Sequence, residues 1–78
     1  MTEEQTLRAF GMRVCSLRAQ LKLSQEQLAE RAQLDRTYIS SIERGQRNIG
    51  LLNICKLAIA LHVSPERLLA NLGEYIHE

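Results

Sequence analysis

The sequence predicts an all-α fold, five short helices around one small core. Three observations carry that expectation. Apolar residues recur at spacings of three and four, as in Leu7, Phe10, Val14, Leu17 and Leu21. No stretch sustains the apolar–polar alternation of a strand, and no Asn-Gly or Asp-Gly pair joins β-branched runs. Helix-start residues stand at Ser24, Asp35 and Ser64, close enough together to bound short helices.

The first helix follows the stripe from Leu7 to Leu21, with Arg8, Arg13 and Arg18 elsewhere on the cylinder, and "KLS" closes it. Ser24 caps the second helix. Its hydroxyl can accept from the backbone amide three residues on while Gln27 reaches back, and the helix runs to about Ala32, burying Leu28, Ala29 and Ala32. "QLD" is a tight connection, and Asp35 caps a third helix that stops near Gly45. "QRN" reads as an exposed loop. From about Gly50, LLNICKLAIALHV is a largely apolar helix in which Leu51, Ile54, Ala58 and Leu61 form one stripe. Ser64 with Pro65 at the first helical position opens a fifth helix through "ERLLANL", expected to end near Gly73. The tail "EYIHE" either frays or docks on something.

Bulk properties narrow the function. A chain of 78 residues makes one domain, residues 1–78, with a core of modest size. With 45% apolar and 24% charged residues it reads as globular and not disordered. No apolar run can span a bilayer, and the acidic start MTEEQ is unlike a signal peptide, so a cytoplasmic protein is expected, with no membrane partner. Cys15 and Cys55 read as small apolar fillers in a reducing compartment, with a disulfide or a redox switch as the alternative. They form no CxxC pair, and His62 and His77 stand at unrelated spacings, so neither a metal nor another cofactor is expected. No Walker loop, GxSxG, HExxH or paired carboxylate arrangement is present, and an enzyme is not expected.

The net charge of +1 names no partner, but its distribution does more. Residues 36–56 hold Arg36, Arg44, Arg47 and Lys56 against Glu43 alone. That excess points weakly to an anionic partner. At 100° per residue, Arg36, Thr37, Ser40, Ser41 and Arg44 fall within an arc of about 140° on the third helix. Tyr38, Ile39 and Ile42 take the opposite side. Short hydroxyls allow close approach to a surface, and arginines offer forked donors for guanine edges or phosphates. Arg36 and Thr37 sit at the N-terminus, the end of a helix that reaches deepest into a DNA major groove. Gln25 with free amides at the start of the second helix, and the loop Gln46-Arg47-Asn48, could each hold the DNA backbone. An ordinary solvated face fits the same geometry.

SQEQLAERAQLDRTYISSIERG resembles the helix-turn-helix of the Cro/C1-type (XRE) bacterial and phage regulators. The shared pattern is Gln25, Leu28-Ala29, a turn residue at Gln33, Ile39-Ser40, Ile42-Glu43 and Gly45. LDRTYISSIERGQRN followed by IGLLNICKLAIAL is similar to the controller proteins of restriction–modification systems. The resemblance implies a compact five-helix, lambda-repressor-like domain, with the helix-turn-helix at about 24–45 and a dimerisation region at about 50–72. It implies base reading by Arg36, Thr37 and Ser41, with Ser40 beside them. It implies phosphate contacts from Gln25, Tyr38, Arg47 and Asn48, joined by Arg44 and Gln46. It further implies a structural ion pair between Arg18 and Glu43. Gln33 departs from the pattern, since the superfamily usually has glycine at the turn, and a positive φ there would strain glutamine modestly.

The fourth and fifth helices hold more apolar residues than a core of this size needs. Leu52 and Ile59, seven apart, share a second side of the fourth helix, and Leu68, Leu69 and Leu72 add more. Leu52, Ile59, Leu69 and Leu72 are expected to meet their own copies in a twofold dimer. The implied function is a transcriptional regulator that binds double-stranded DNA at a pseudo-palindromic operator and acts on its own promoter, with RNA polymerase a further candidate partner. A phage-type or stress-response repressor, or an antitoxin-like interaction module on the same fold, are the alternatives.

Overall fold

In the computed structural model, which describes residues 2–72, five helices follow one another: α1 (Glu3–Gln20), α2 (Gln25–Ala32), α3 (Arg36–Glu43), α4 (Leu51–Ala60) and α5 (Pro65–Leu69). No strand occurs among the described residues, so the all-α expectation holds. None of the helices among them is long and apolar enough to cross a membrane. The tail "EYIHE" lies outside the described residues.

Local chemistry sets the helix starts. Ser24 Oγ accepts from the Gln27 amide and Gln27 Oε1 from the Ser24 amide, the reciprocal capping expected from the sequence. The same pair of bonds joins Thr2 and Gln5 at the start of α1, which the sequence reading had not noted. Asp35 caps α3 by accepting from the Thr37 amide at 2.9 Å. At its other end α3 closes on Gly45, φ +75°. The Gly45 amide donates to Ile42 and the Gln46 amide to Ser41, which satisfies two terminal carbonyls. The turn after α2 makes the equivalent bonds with Gln33 at φ 57°, so the strained position anticipated for glutamine is real.

One core joins all five helices. Phe10, Val14, Leu17, Leu28, Ile39, Ile42, Leu57, Leu61 and Leu68 are buried in it. Each such side chain contributes roughly 1.5–3 kcal/mol when fully removed from water. Gly11 is what allows α1 to cross α3 so closely. A Cβ there would come within 2.3 Å of the Ile42 carbonyl oxygen, a rigid backbone atom.

Four expectations need correction. Leu21 is 38% exposed, because α1 has already ended and its stripe no longer faces the core. Leu51 is 73% exposed, although it continues the stripe that buries Ala58 and Leu61. Leu72, expected at a dimer interface, is instead buried in the core. The fifth helix stops at Leu69 and does not run to Gly73. Arg13, reaching across from α1, donates to the carbonyls of Arg67 and Ala70 at 2.6 and 3.0 Å. Those bonds satisfy the end of α5, where Ala70 has already turned to an extended conformation.

Candidate nucleic-acid interface

The face of α3 opposite the core gathers most of the residues singled out for DNA. Arg36, Thr37, Ser40 and Arg44 line one shallow depression. Arg36, Thr37 and Arg44 are exposed, and Ser40 is half-buried. The Arg44 guanidinium lies along the helix, donating to Ser40 Oγ and, at 3.3 Å, to Gln46 Oε1. Its charge is thereby held at the surface. Gln46, Arg47 and Asn48 follow as an exposed loop.

Ser41 is placed differently from the expectation of a base-reading group. It stands at the edge of the polar arc nearest the packed side and is only 7% exposed. Its hydroxyl donates to the Tyr38 carbonyl at 2.8 Å and accepts from Arg47 Nε at 3.1 Å. The Arg47 guanidinium also lies 5.4 Å from the centroid of the Tyr38 ring, within cation–π range. Ser41 and Tyr38 therefore hold Arg47 in place.

The acid in this stretch is withdrawn from the face. The Glu43 side chain is 6% exposed and that of Arg18 17%, with Arg18 Nε at 2.7 Å from Glu43 Oε2. Arg18 Nη2 reaches Oε1 at 3.0 Å, and Nη1 donates to the Leu23 carbonyl at 2.8 Å. The hydrogen bond to Glu43 raises the Arg18 pKa against the opposing effect of burial. Gln25 Nε2 donates to Glu43 Oε1 at 3.0 Å, which uses one of its two amide protons. This node ties α1, the start of α2 and the end of α3 together. With Glu43 paired inside, Arg36, Arg44 and Arg47 set the sign of the outer face.

A second exposed surface is apolar. Leu52 and Ile59 on α4 are each 77% exposed, Leu51 73% and Leu69 on α5 43%. Leu52 and Ile59 stand two turns apart on one side of the helix. Cys15 and Cys55 are free thiols, both half-buried. The sequence reading missed Asn53, whose Nδ2 donates to the Tyr38 hydroxyl at 3.1 Å. Its one signal was a lone amide within the apolar run of α4.

A family model described as helix-turn-helix matches residues 16–68, a span that runs from the C-terminal end of α1 into α5. The chain belongs to the Cro/C1-type helix-turn-helix family. Within that family it is similar to control protein C.BamHI of Bacillus amyloliquefaciens, 51% identical over 61 residues, or 77% of this chain and 75% of that one. The crystal structure of the restriction-modification controller protein C.AhdI from Aeromonas hydrophila superposes with a TM-score of 0.78 at 52% identity, over 80% of this chain and 94% of that one. C.Esp1396I, another restriction-modification controller, solved as a tetramer in complex with its natural 35 base-pair operator, superposes with a TM-score of 0.78 at 32% identity, over 94% of this chain and 96% of that one. The helix-turn-helix assignment thus agrees with the α2–turn–α3 geometry already described.

Proposed function

We propose that this chain is a sequence-specific DNA-binding regulator, the controller of a restriction–modification system. It works in the cytoplasm as a homodimer on a pseudo-palindromic operator and regulates its own promoter. The observation that carries the reading is the outer face of α3. Arg36 and Thr37 stand exposed at its N-terminus, Arg44 and Arg47 flank it, Glu43 is paired inside with Arg18, and Asp35 is engaged in capping the helix. The likeness to C.Esp1396I, whose structure was solved on its operator, supports it.

On this reading Arg36 and Thr37 read bases, with Ser40 beside them. Gln25, Tyr38, Arg44, Gln46, Arg47 and Asn48 hold phosphates. Ser41 moves from reader to support, because its hydroxyl is already committed to Arg47 and Tyr38. Leu51, Leu52, Ile59 and Leu69 supply the apolar surface that a second copy covers. Two reading heads on successive half-sites gain affinity and register that one cannot. RNA polymerase is the further partner that activation of a promoter requires.

The division of labour is tested by two substitutions. Arg36→Ala is expected to weaken operator binding by about 1–3 kcal/mol and relax preference at one position in each half-site. Arg47→Ala is expected to weaken all duplexes alike and reduce the salt slope by about one unit per protomer. Identical behaviour of the two variants, in both specificity and salt slope, contradicts the assignment.

A further inference from the structure

Tyr38 is held by a contact from outside its own helix. Asn53, in the first turn of α4, donates from Nδ2 to the Tyr38 hydroxyl oxygen at 3.1 Å, and both residues are half-buried. Arg47 covers the Tyr38 ring at 5.4 Å, and Ser41 ties Arg47 Nε to the Tyr38 carbonyl. Ring, hydroxyl and guanidinium form one connected set, and Asn53 is its α4 member.

A phenol has one proton to give and lone pairs to receive. With the Asn53 N–H already received by the oxygen, the hydroxyl proton is directed away from Asn53 and remains available to an external acceptor. An anionic phosphate oxygen is the acceptor that makes the strongest such bond. Without Asn53 the hydroxyl rotates between directions, and fixing it becomes part of the free energy of binding. We infer that Asn53 is a positioning residue for DNA-backbone binding, fixing the Tyr38 hydroxyl as a donor to phosphate. Its neighbour Leu52 is among the exposed apolar residues, so the helix offered to a second copy also sets the phosphate clamp. The inference rests on the DNA-binding reading above.

The test is a double-mutant cycle of Asn53→Ala and Tyr38→Phe in the full chain, read by fluorescence anisotropy. Two probes are used, a duplex enriched from random DNA by the wild-type chain and a random-sequence duplex of equal length. Alanine is the better helix former, so the helix itself is not weakened. With Tyr38 present, Asn53→Ala is expected to weaken both duplexes about three- to tenfold per bound protomer. In the Tyr38→Phe background the same change is expected to alter affinity by less than about twofold. Asn53→Asp, which takes the Tyr38 proton for itself, is expected to weaken binding at least as much as alanine. Equal losses in both backgrounds, or no loss in either, overturn the inference. A wild-type chain with no preference for the enriched duplex contradicts the sequence-specific reading, while the cycle on the random duplex still decides the role of Asn53. Failure to bind either duplex overturns both.

Discussion

Removing one partner of the Arg18–Glu43 pair is the sharpest test of how the reading head is held. The Glu43 side chain is 6% exposed and receives three hydrogen bonds, two from Arg18 at 2.7 and 3.0 Å and one from Gln25 at 3.0 Å. Arg18→Met leaves that carboxylate buried with only Gln25 to compensate. A buried charge deprived of its partner costs about 3–5 kcal/mol. A domain of 78 residues holds roughly 4–12 kcal/mol in all, so the variant should sit near the edge of folding. The corresponding fall in Tm is on the order of 20 °C. Glu43→Leu strands the guanidinium instead and should lose a comparable amount, discounted because Arg18 is 17% exposed and keeps its bond to Leu23. The double variant removes both charges and should be more stable than either single one, giving a coupling of at least about 2 kcal/mol. Urea denaturation of all four proteins, at one fixed protomer concentration, measures this. Because the hydrogen bond to Glu43 raises the Arg18 pKa above its ordinary value, its contribution is complete below that ordinary value and is lost only as pH rises through the folded-state pKa. Arg18 therefore adds no pH slope across the neutral range. Additive losses below about 1 kcal/mol each would mark a solvent-screened surface pair and refute the reasoning.

Other substitutions test the remaining parts of the account. Leu52→Glu combined with Ile59→Glu should give a folded monomer by light scattering, since both side chains are 77% exposed and take no part in the core; an unchanged mass places the interface elsewhere. Gln33→Gly relieves a left-handed backbone at φ 57° and should raise the urea midpoint by an amount equivalent to about 0.5–1 kcal/mol, where a decrease would show that the glutamine side chain matters more than its backbone. Gly11→Ala should destabilise by about 1–3 kcal/mol, because its Cβ would meet the Ile42 and Glu43 carbonyls at 2.3 and 2.8 Å; a neutral result in thermal melts means that α1 can shift without loss.

Local chemistry was the legible part of the fold. The caps at Ser24 and Asp35 and the stop at Gly45 depend on residues within a turn of each other, and each stands where the pattern put it. Periodicity placed Phe10, Val14 and Leu17 inside, but it carries no information on where a neighbouring helix ends. Leu21 and Leu51 therefore continue their stripes into solvent. The early end of α5 was not legible, and the residue that satisfies its carbonyls, Arg13, lies 54 residues away in sequence from Arg67. Gly11 escaped notice for the same reason, since close approach belongs to a pair of helices and to neither alone.

At the candidate interface, helical geometry brought Arg36, Thr37, Ser40 and Arg44 together on one side, and the structure has them lining one depression. Ser41 lay at the margin of the same arc, where a few tens of degrees separate a solvent-facing hydroxyl from a buried one. The partners that turned it inward, Arg47 and the Tyr38 carbonyl, come from a returning loop and from its own helix. Asn53 belongs to a later helix, and only the fold brings it to Tyr38.

The central claim, sequence-specific binding by a dimer, is tested most directly by selecting binding sites from random duplex DNA at two salt concentrations. The account predicts an enriched inverted repeat whose affinity falls steeply as salt rises, because exposed arginines displace counterions from the phosphates. An enriched repeat also gives a site to look for upstream of neighbouring genes. No enrichment, with only weak salt-sensitive binding, would contradict the account and reduce the outer face of α3 to a solvated surface.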